Sequence, residues 1–381
     1  MTGQSPDIGL YVHWPYCARV CPYCDFNVVR DRGRSATDTN LVAAIVADLE
    51  GQAQTLGRRR LVSIFFGGGT PSLAPVEVIA EIICTAQRLW PPAPDLEVTL
   101  EANPADATRA RFADLAGAGV NRLSLGVQSF DDGQLRFLGR DHDAATALRA
   151  AECARSCFQR VSFDLIYALP GQTTSEWAAM LAQANSLGPE HLSAYQLTIE
   201  PQTAFGRALR RGEFRPLADD QRADLFDTTQ SVLGALGYHA YEVSNHALGE
   251  AARSRHNLIY WRGQDYVGVG PGAHGRLTLA GKRCATECPR RIADYIAHVD
   301  RFGVGAHPQE LTARDAATER LLMGLRTVEG APLSELDELE LGGGRIAALA
   351  GYLEVRSGHL IATGRGRPVL DRLIGELTRA A

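Results

Sequence analysis

Lysine is almost missing from this chain. Lys282 is the single one in 381 residues, and arginine supplies the rest of the basic charge. Long runs of one charge sign are missing too, and the formal net charge is −5. General nucleic-acid binding or adhesion to an anionic membrane would call for a basic patch, so both are disfavoured. Arginine in place of lysine, with abundant alanine, reads as the imprint of a GC-rich genome. No apolar stretch reaches 18 residues, so no membrane-spanning helix is expected. No apolar N-terminal segment leads to a small-residue cleavage site, so no secretory signal is expected either. Low-complexity segments are absent. Eight cysteines, three of them within Cys17–Cys24, do not make a secreted disulfide framework. They fit a reducing, cytoplasmic setting and a metal site.

The composition is that of an ordinary globular protein, 45% hydrophobic and 22% charged, with length for two or three domains. Apolar, β-branched runs recur at 8–12, 61–66, 96–100, 122–127, 161–166 and 191–197. Amphipathic stretches at 38–56, 75–89, 106–118, 143–157, 175–187 and 219–236 alternate with them. The pattern predicts six βα units around a parallel sheet, too few for a closed eight-fold barrel. Polar or glycine-rich segments follow each of the first five strands. Barrel-like βα folds gather their sites at those C-terminal strand ends.

From about Tyr238 the rhythm changes. The predicted organisation is therefore a barrel over 1–237, a sheet extension and loop region over 238–309, and a C-terminal unit over 310–381. That last unit reads as small helices with a β-ribbon near 359–363, like a winged helix. It carries nine arginines against eleven acids, so it is read as a docking or covering module, not a DNA reader.

The most informative motif is Cys17-Ala-Arg-Val-Cys21-Pro-Tyr-Cys24. Three thiolates can hold three irons of a cubane iron–sulfur cluster and leave the fourth open. An open metal position can bind and activate a small molecule. A zinc ribbon would need a second ligand pair, and none follows. Three merely structural cysteines are the alternative. Cys153 with Cys157, and Cys284 with Cys288, lack a third ligand nearby and are read as inert.

Several segments together resemble the oxygen-independent coproporphyrinogen III oxidase family of radical S-adenosylmethionine (SAM) enzymes. They are Tyr11–Cys17, the cysteine loop, Phe66–Pro71, Glu101–Pro104, Ser124–Phe130, Asp164 with Leu169–Gly171, and His256–Trp261. Within that family the segments are most similar to the haem-chaperone branch. The resemblance implies a partial (βα)6 barrel, a [4Fe–4S] cluster on Cys17, Cys21 and Cys24, and SAM on the open iron. Reduction would cleave SAM to methionine and a 5′-deoxyadenosyl radical. Phe26 stands where the decarboxylating oxidases carry a further cysteine. Only sixteen residues precede Cys17, against a long covering segment in those oxidases. Both departures favour the chaperone branch.

The resemblance also assigns residues. Gly68, Gly69 and Thr70 would let the backbone approach the methionyl end of SAM. Glu101 would pair with a ribose hydroxyl or the SAM ammonium. Gln128, Arg140 and Asp164 match positions that contact a second SAM or a nearby substrate, with Arg140 suited to a carboxylate. Tyr11 and Tyr23 match SAM-contacting positions, and strand alternation puts Tyr11 and His13 on one face. His256 is the candidate haem ligand, since imidazole commonly ligates haem iron. Tyr260 and Trp261 would offer flat surface to a porphyrin. The glycine run Gly268–Gly275 contains Pro271 and no following helix start, so it is not read as a dinucleotide fingerprint.

Three functions compete at this point. The first is a haem chaperone that delivers haem to an acceptor such as a membrane respiratory protein, with dimerisation left open. The second is a radical SAM oxidase that makes protoporphyrinogen IX. The third is a binding protein whose cluster is only structural.

Overall fold

The computed structural model describes residues 5–341 and 343–379. Six parallel strands form its centre: β1 (Asp7–Trp14), β2 (Arg60–Gly68), β3 (Pro92–Ala102), β4 (Arg122–Gln128), β5 (Arg160–Tyr167) and β6 (His191–Gln196). The longer helices between and after them are α1 (Thr39–Leu56), α2 (Val76–Leu89), α3 (Arg109–Gly117), α4 (Ala144–Cys157), α5 (Thr174–Ser186) and α6 (Asp219–Ala235). Local chemistry sets the helix starts. Asp38, Thr108, Asp143 and Thr173 each accept a backbone N–H of the first turn that has no partner within its helix. Glu176 completes a capping box with Thr173.

Alternation divides each strand into two faces. On β1, Ile8, Leu10 and Val12 are fully buried under the helices, while Gly9, Tyr11 and His13 point inward. Each such aliphatic burial is worth about 1.5–3 kcal/mol. The inner face is unusually polar. Register sets Ser63 beside Glu97, Phe65 beside Thr99, Thr99 beside Arg122, Glu101 beside Ser124, and Asp164 beside Ser193. An interior of this kind is a site, not a core.

The sheet does not close. Beyond β6 it continues through two short antiparallel strands, β7 (His239–Ala240) and β8 (Asn245–Ala247). Beyond β1 come β9 (Tyr266–Val269), β10 (His274–Leu279), β11 (Lys282–Glu287) and β12 (Gln309–Glu310). The full order is β12-β11-β10-β9-β1-β2-β3-β4-β5-β6-β8-β7. Strand β9 runs parallel to β1, and β10 to β12 then run antiparallel. The segment His256–Trp261, expected in a sheet-and-loop region, instead lies on a short helix, α7 (Arg255–Trp261), capped by Ser254. It inserts under the sheet toward the N-terminal ends of β2 and β3.

Helix α8 (Ile292–Phe302) packs on α1 through a buried carboxylate. Asp48 is fully buried and accepts from Tyr295 Oη at 2.9 Å and from Gly305 N at 2.7 Å. Burial pushes its carboxyl up to about 6, against the pull of these bonds. The folded value lies above the unfolded one, so its contribution is fully present below about pH 4 and is lost as pH rises through about 6. Relative to Asp48→Asn, the wild type should lose about 3 kcal/mol between pH 4 and pH 7. Urea unfolding of both proteins across that range checks it, and a constant difference would contradict it.

A second apolar core lies in the C-terminal part. Helix α9 (Ala313–Leu325) packs Leu321 and Leu325 against a three-stranded sheet and the final helix Leu370–Thr378. The sheet includes the ribbon Leu353–Arg356 with His359–Ala362. Arg276–Glu319 at 2.7 Å and Arg262–Glu329 at 2.6 Å tie this part to the rest.

Candidate functional site

The cysteine loop follows β1 directly. Its start is stitched to the end of β2, because Gly69 N donates to Trp14 O and Thr70 N to Tyr16 O, both at 2.7 Å. Glycine is required here for close approach. A Cβ on Gly69 would sit 2.4 Å from Tyr16 O, and one on Gly68 would meet the His13 ring at 2.6 Å. Protein packing alone therefore accounts for both glycines. The far side of the loop is held by apolar contact. Tyr23 joins Phe205, Phe137, Leu197 and Ile166, and Phe205 N donates to Pro22 O at 2.9 Å.

Behind the loop, His13 Nε2 bonds to Asn27 O at 2.8 Å, and Tyr11 Oη bonds to His13 Nδ1 at 3.0 Å. Asn27 Nδ2 donates to Pro271 O and Arg290 O, both at 2.8 Å. The glycine run between β9 and β10 thus buttresses the loop.

The three thiols border one cavity of about 630 Å³. Thr70 Oγ1 donates to Cys17 Sγ at 3.6 Å and Arg140 Nη1 to Cys21 Sγ at 3.4 Å. Burial pushes the Cys17 and Cys24 thiols up to about 11, so a metal must displace their protons. Among the described residues no three His, Cys, Asp or Glu side chains stand close enough to hold a single metal ion. The donors on sulfur would tune the potential of a cluster held by these thiols.

Tyr11, Tyr23, Gly68, Gly69, Thr70, Glu101, Gln128, Arg140, Asp164 and His256 all line this same cavity with the cysteines. Burial, and then the neighbouring Asp164, push the Glu101 carboxyl up to about 8. No basic side chain pairs with it within 4 Å among the described residues, so it can take a cationic ammonium or a hydroxyl. Asp164 is also raised by burial, although Ser124 Oγ donates to it at 2.9 Å. Gln128 has φ of 64°, and its Oε1 is buried without a donor. A polar ligand would satisfy that atom.

One family model, "Radical SAM superfamily", matches residues 11–184. "Radical S-adenosyl methionine domain-containing protein 1, mitochondrial" of Danio rerio is 40% identical over 86% of this chain and 74% of its own length. "Heme chaperone HemW" of Escherichia coli strain K12 is 38% identical over 87% of this chain and 86% of its own. The chain belongs to the HemW family of radical SAM proteins. Its fold is that of the E. coli coproporphyrinogen III oxidase HemN. The two superpose with a TM-score of 0.81 over 98% of this chain and 90% of the other, at 22% identity.

In this HemW-family chain three expected roles meet a different geometry. Both terminal nitrogens of Arg140 are already engaged, and only its buried Nε is without a partner. Its Nη2 is spent on Asn103 Oδ1 at 2.8 Å and Gly126 O at 3.0 Å, so it ties Cys21 to β4. Both nitrogens of His256 are also engaged, Nδ1 with Ser63 Oγ at 2.8 Å and Nε2 with Tyr260 Oη at 2.6 Å. Burial lowers this imidazole to about 3, so it is neutral, but neither nitrogen is open to iron. Trp261 does not reach the cavity. It lies under Arg326, whose guanidinium is 4.9 Å from its ring centre. Tyr260 does line the cavity, in an aromatic wall with Phe65, Tyr11 and the His256 ring.

Sequence reasoning missed Arg122, Phe65 and Tyr195, which also line the cavity, as do Asn103 and Ser124 of the motif segments. The signal was present in β4, where Arg122, Ser124, Gly126 and Gln128 alternate with apolar residues. The pairs Cys153–Cys157 and Cys284–Cys288 lie outside this cavity.

Proposed function

We propose that this chain binds haem in the cavity beside a SAM-ligated [4Fe–4S] cluster and passes the haem to an acceptor protein. The observation that carries this reading is the makeup of one cavity, with three thiols at its mouth and an aromatic wall deeper in. Relatives with the name "Heme chaperone HemW" support the cargo. Cys17, Cys21 and Cys24 would hold the cluster. Gly68 to Thr70, Glu101, Gln128 and Asp164 would line the SAM site, with Tyr11 and Tyr23 flanking it. When bound, this pair supplies one-electron reductive chemistry. The protein's own contribution is to orient ligands and to keep Glu101 and Asp164 unpaired for cationic groups.

His256 could ligate haem iron only after Ser63 or Tyr260 lets go of a ring nitrogen, so flat contact with Tyr260 and Phe65 is the main attraction for the macrocycle. Phe26 and Val20 at the mouth are 62% and 45% exposed, an apolar rim suited to haem entry and to an acceptor. The free thiols suit a reducing cytosol. No helix among the described residues is long and apolar enough to cross a membrane.

Two measurements test the reading together. Titration of the reconstituted protein with haem should give a saturable Soret band at one haem per chain. Anaerobic incubation with coproporphyrinogen, dithionite and SAM should give no protoporphyrinogen. Absence of saturable haem binding, or clear porphyrinogen turnover, would contradict it.

A further inference from the structure

Three arginines line or border the inner wall, and two of them bond the protein through both terminal nitrogens. Arg140 is spent on the cysteine loop and β4. Arg160 donates to Glu190 at 3.0 Å, Glu97 at 2.8 Å and Arg253 O at 2.9 Å. Arg122, paired in register with Arg160, differs. It is 2% exposed and lines the cavity. Its Nε is buried without a partner, and it makes no hydrogen bond or ion pair with the described residues. Glu97 and Asp164 are near enough to act on it electrostatically without bonding it. A buried guanidinium normally satisfies its donors. Here the fork is held ready toward the cavity.

We propose that Arg122 anchors a carboxylate of the ligand that fills the inner cavity, and that this carboxylate is a haem propionate. The propionate assignment rests on the haem reading above. The planar fork matches a carboxylate bidentately. Arg122 and Phe65 both neighbour Thr99 in register, so the anchor and the aromatic wall lie at one level of the barrel. A macrocycle against Phe65 and Tyr260 would therefore carry its acid groups within reach of β4. A SAM molecule held at the cluster is a poor alternative source. Arg122 precedes Gly126, the residue bonded to the cluster-side Arg140, by four positions, roughly 13 Å of strand.

The test compares haem with haem dimethyl ester on the cluster-loaded protein, by Soret titration, in wild type, Arg122→Gln and Arg122→Lys. Wild type should bind the diester roughly 10- to 100-fold more weakly than haem. Arg122→Gln should bind haem more weakly by a similar factor and the diester no worse than wild type does, while Arg122→Lys should recover part of the loss. The SAM-induced change in the EPR signal of the reduced cluster should survive in Arg122→Gln. Equal binding of haem and diester by wild type would overturn the anchor without need of any variant. Loss of the SAM response with haem binding intact would also overturn it, by giving the carboxylate to SAM. If wild type binds no haem at all, the haem reading itself fails and the anchor falls with it.

Discussion

Cys21→Ala is expected to take the anaerobically reconstituted protein from about four irons per chain to nearly none. Three thiols are the whole protein ligand set on the loop, and a cubane held by two is not retained. The loop itself should survive the change. Its anchors are the backbone bonds from Gly69 and Thr70, the Tyr23–Phe205 contact and the Asn27 bridges, and none of them involves Cys21 Sγ. Iron and sulfide analysis with the visible spectrum reads the outcome. Cys153→Ala, on α4 and outside the cavity, should keep the full complement. Normal iron content in Cys21→Ala, or equal losses in both variants, would rule out the assigned ligands.

Glu97→Gln is expected to destabilise the fold by about 3–5 kcal/mol. Glu97 is 1% exposed and bonds Arg160 at 2.8 Å. It also accepts from the N–H groups of Arg255 and His256, both at 3.1 Å, at the start of α7. Burial alone would raise this carboxyl, but Arg122, Arg160 and the two N–H groups hold it below the usual range. The folded value lies below the unfolded one, so this stability is present above about pH 4.3 and is lost as pH falls through the folded value. The deficit of Glu97→Gln should therefore shrink in acid. Because α7 carries His256 and Tyr260, the variant should also bind haem less well. Urea unfolding at neutral and acid pH tests the first part. A deficit under 1 kcal/mol at pH 7 would show that α7 is held by something else.

The six parallel strands were legible because each is an apolar, β-branched run between amphipathic stretches. The cysteine loop was legible because ligand spacing is short-range and rare. Strands β9 to β12 were harder, since a glycine-rich segment has no clear period and the tertiary partner, β1, decides its pairing. Trp261 shows another limit. It adjoins Tyr260 in sequence, but adjacent helix positions face different directions, and only packing against Arg326 reveals which way it points. For His256 the residue type suggested a ligand. Ser63 and Tyr260, which occupy its two nitrogens, sit 193 and 4 residues away, and no motif encodes the distant one. Arg140 lines the cavity, yet its bonds to Cys21, Asn103 and Gly126 depend on the folded loop.

The central claim is that haem and the SAM-bound cluster share one cavity, so their affinities must be linked by the same factor in both directions. The most direct measurement is a haem titration of the cluster-loaded protein with and without saturating SAM, paired with a SAM titration with and without haem. Both midpoints should move, in the same direction and by the same factor. A haem affinity indifferent to SAM, with a SAM affinity indifferent to haem, would contradict the shared cavity.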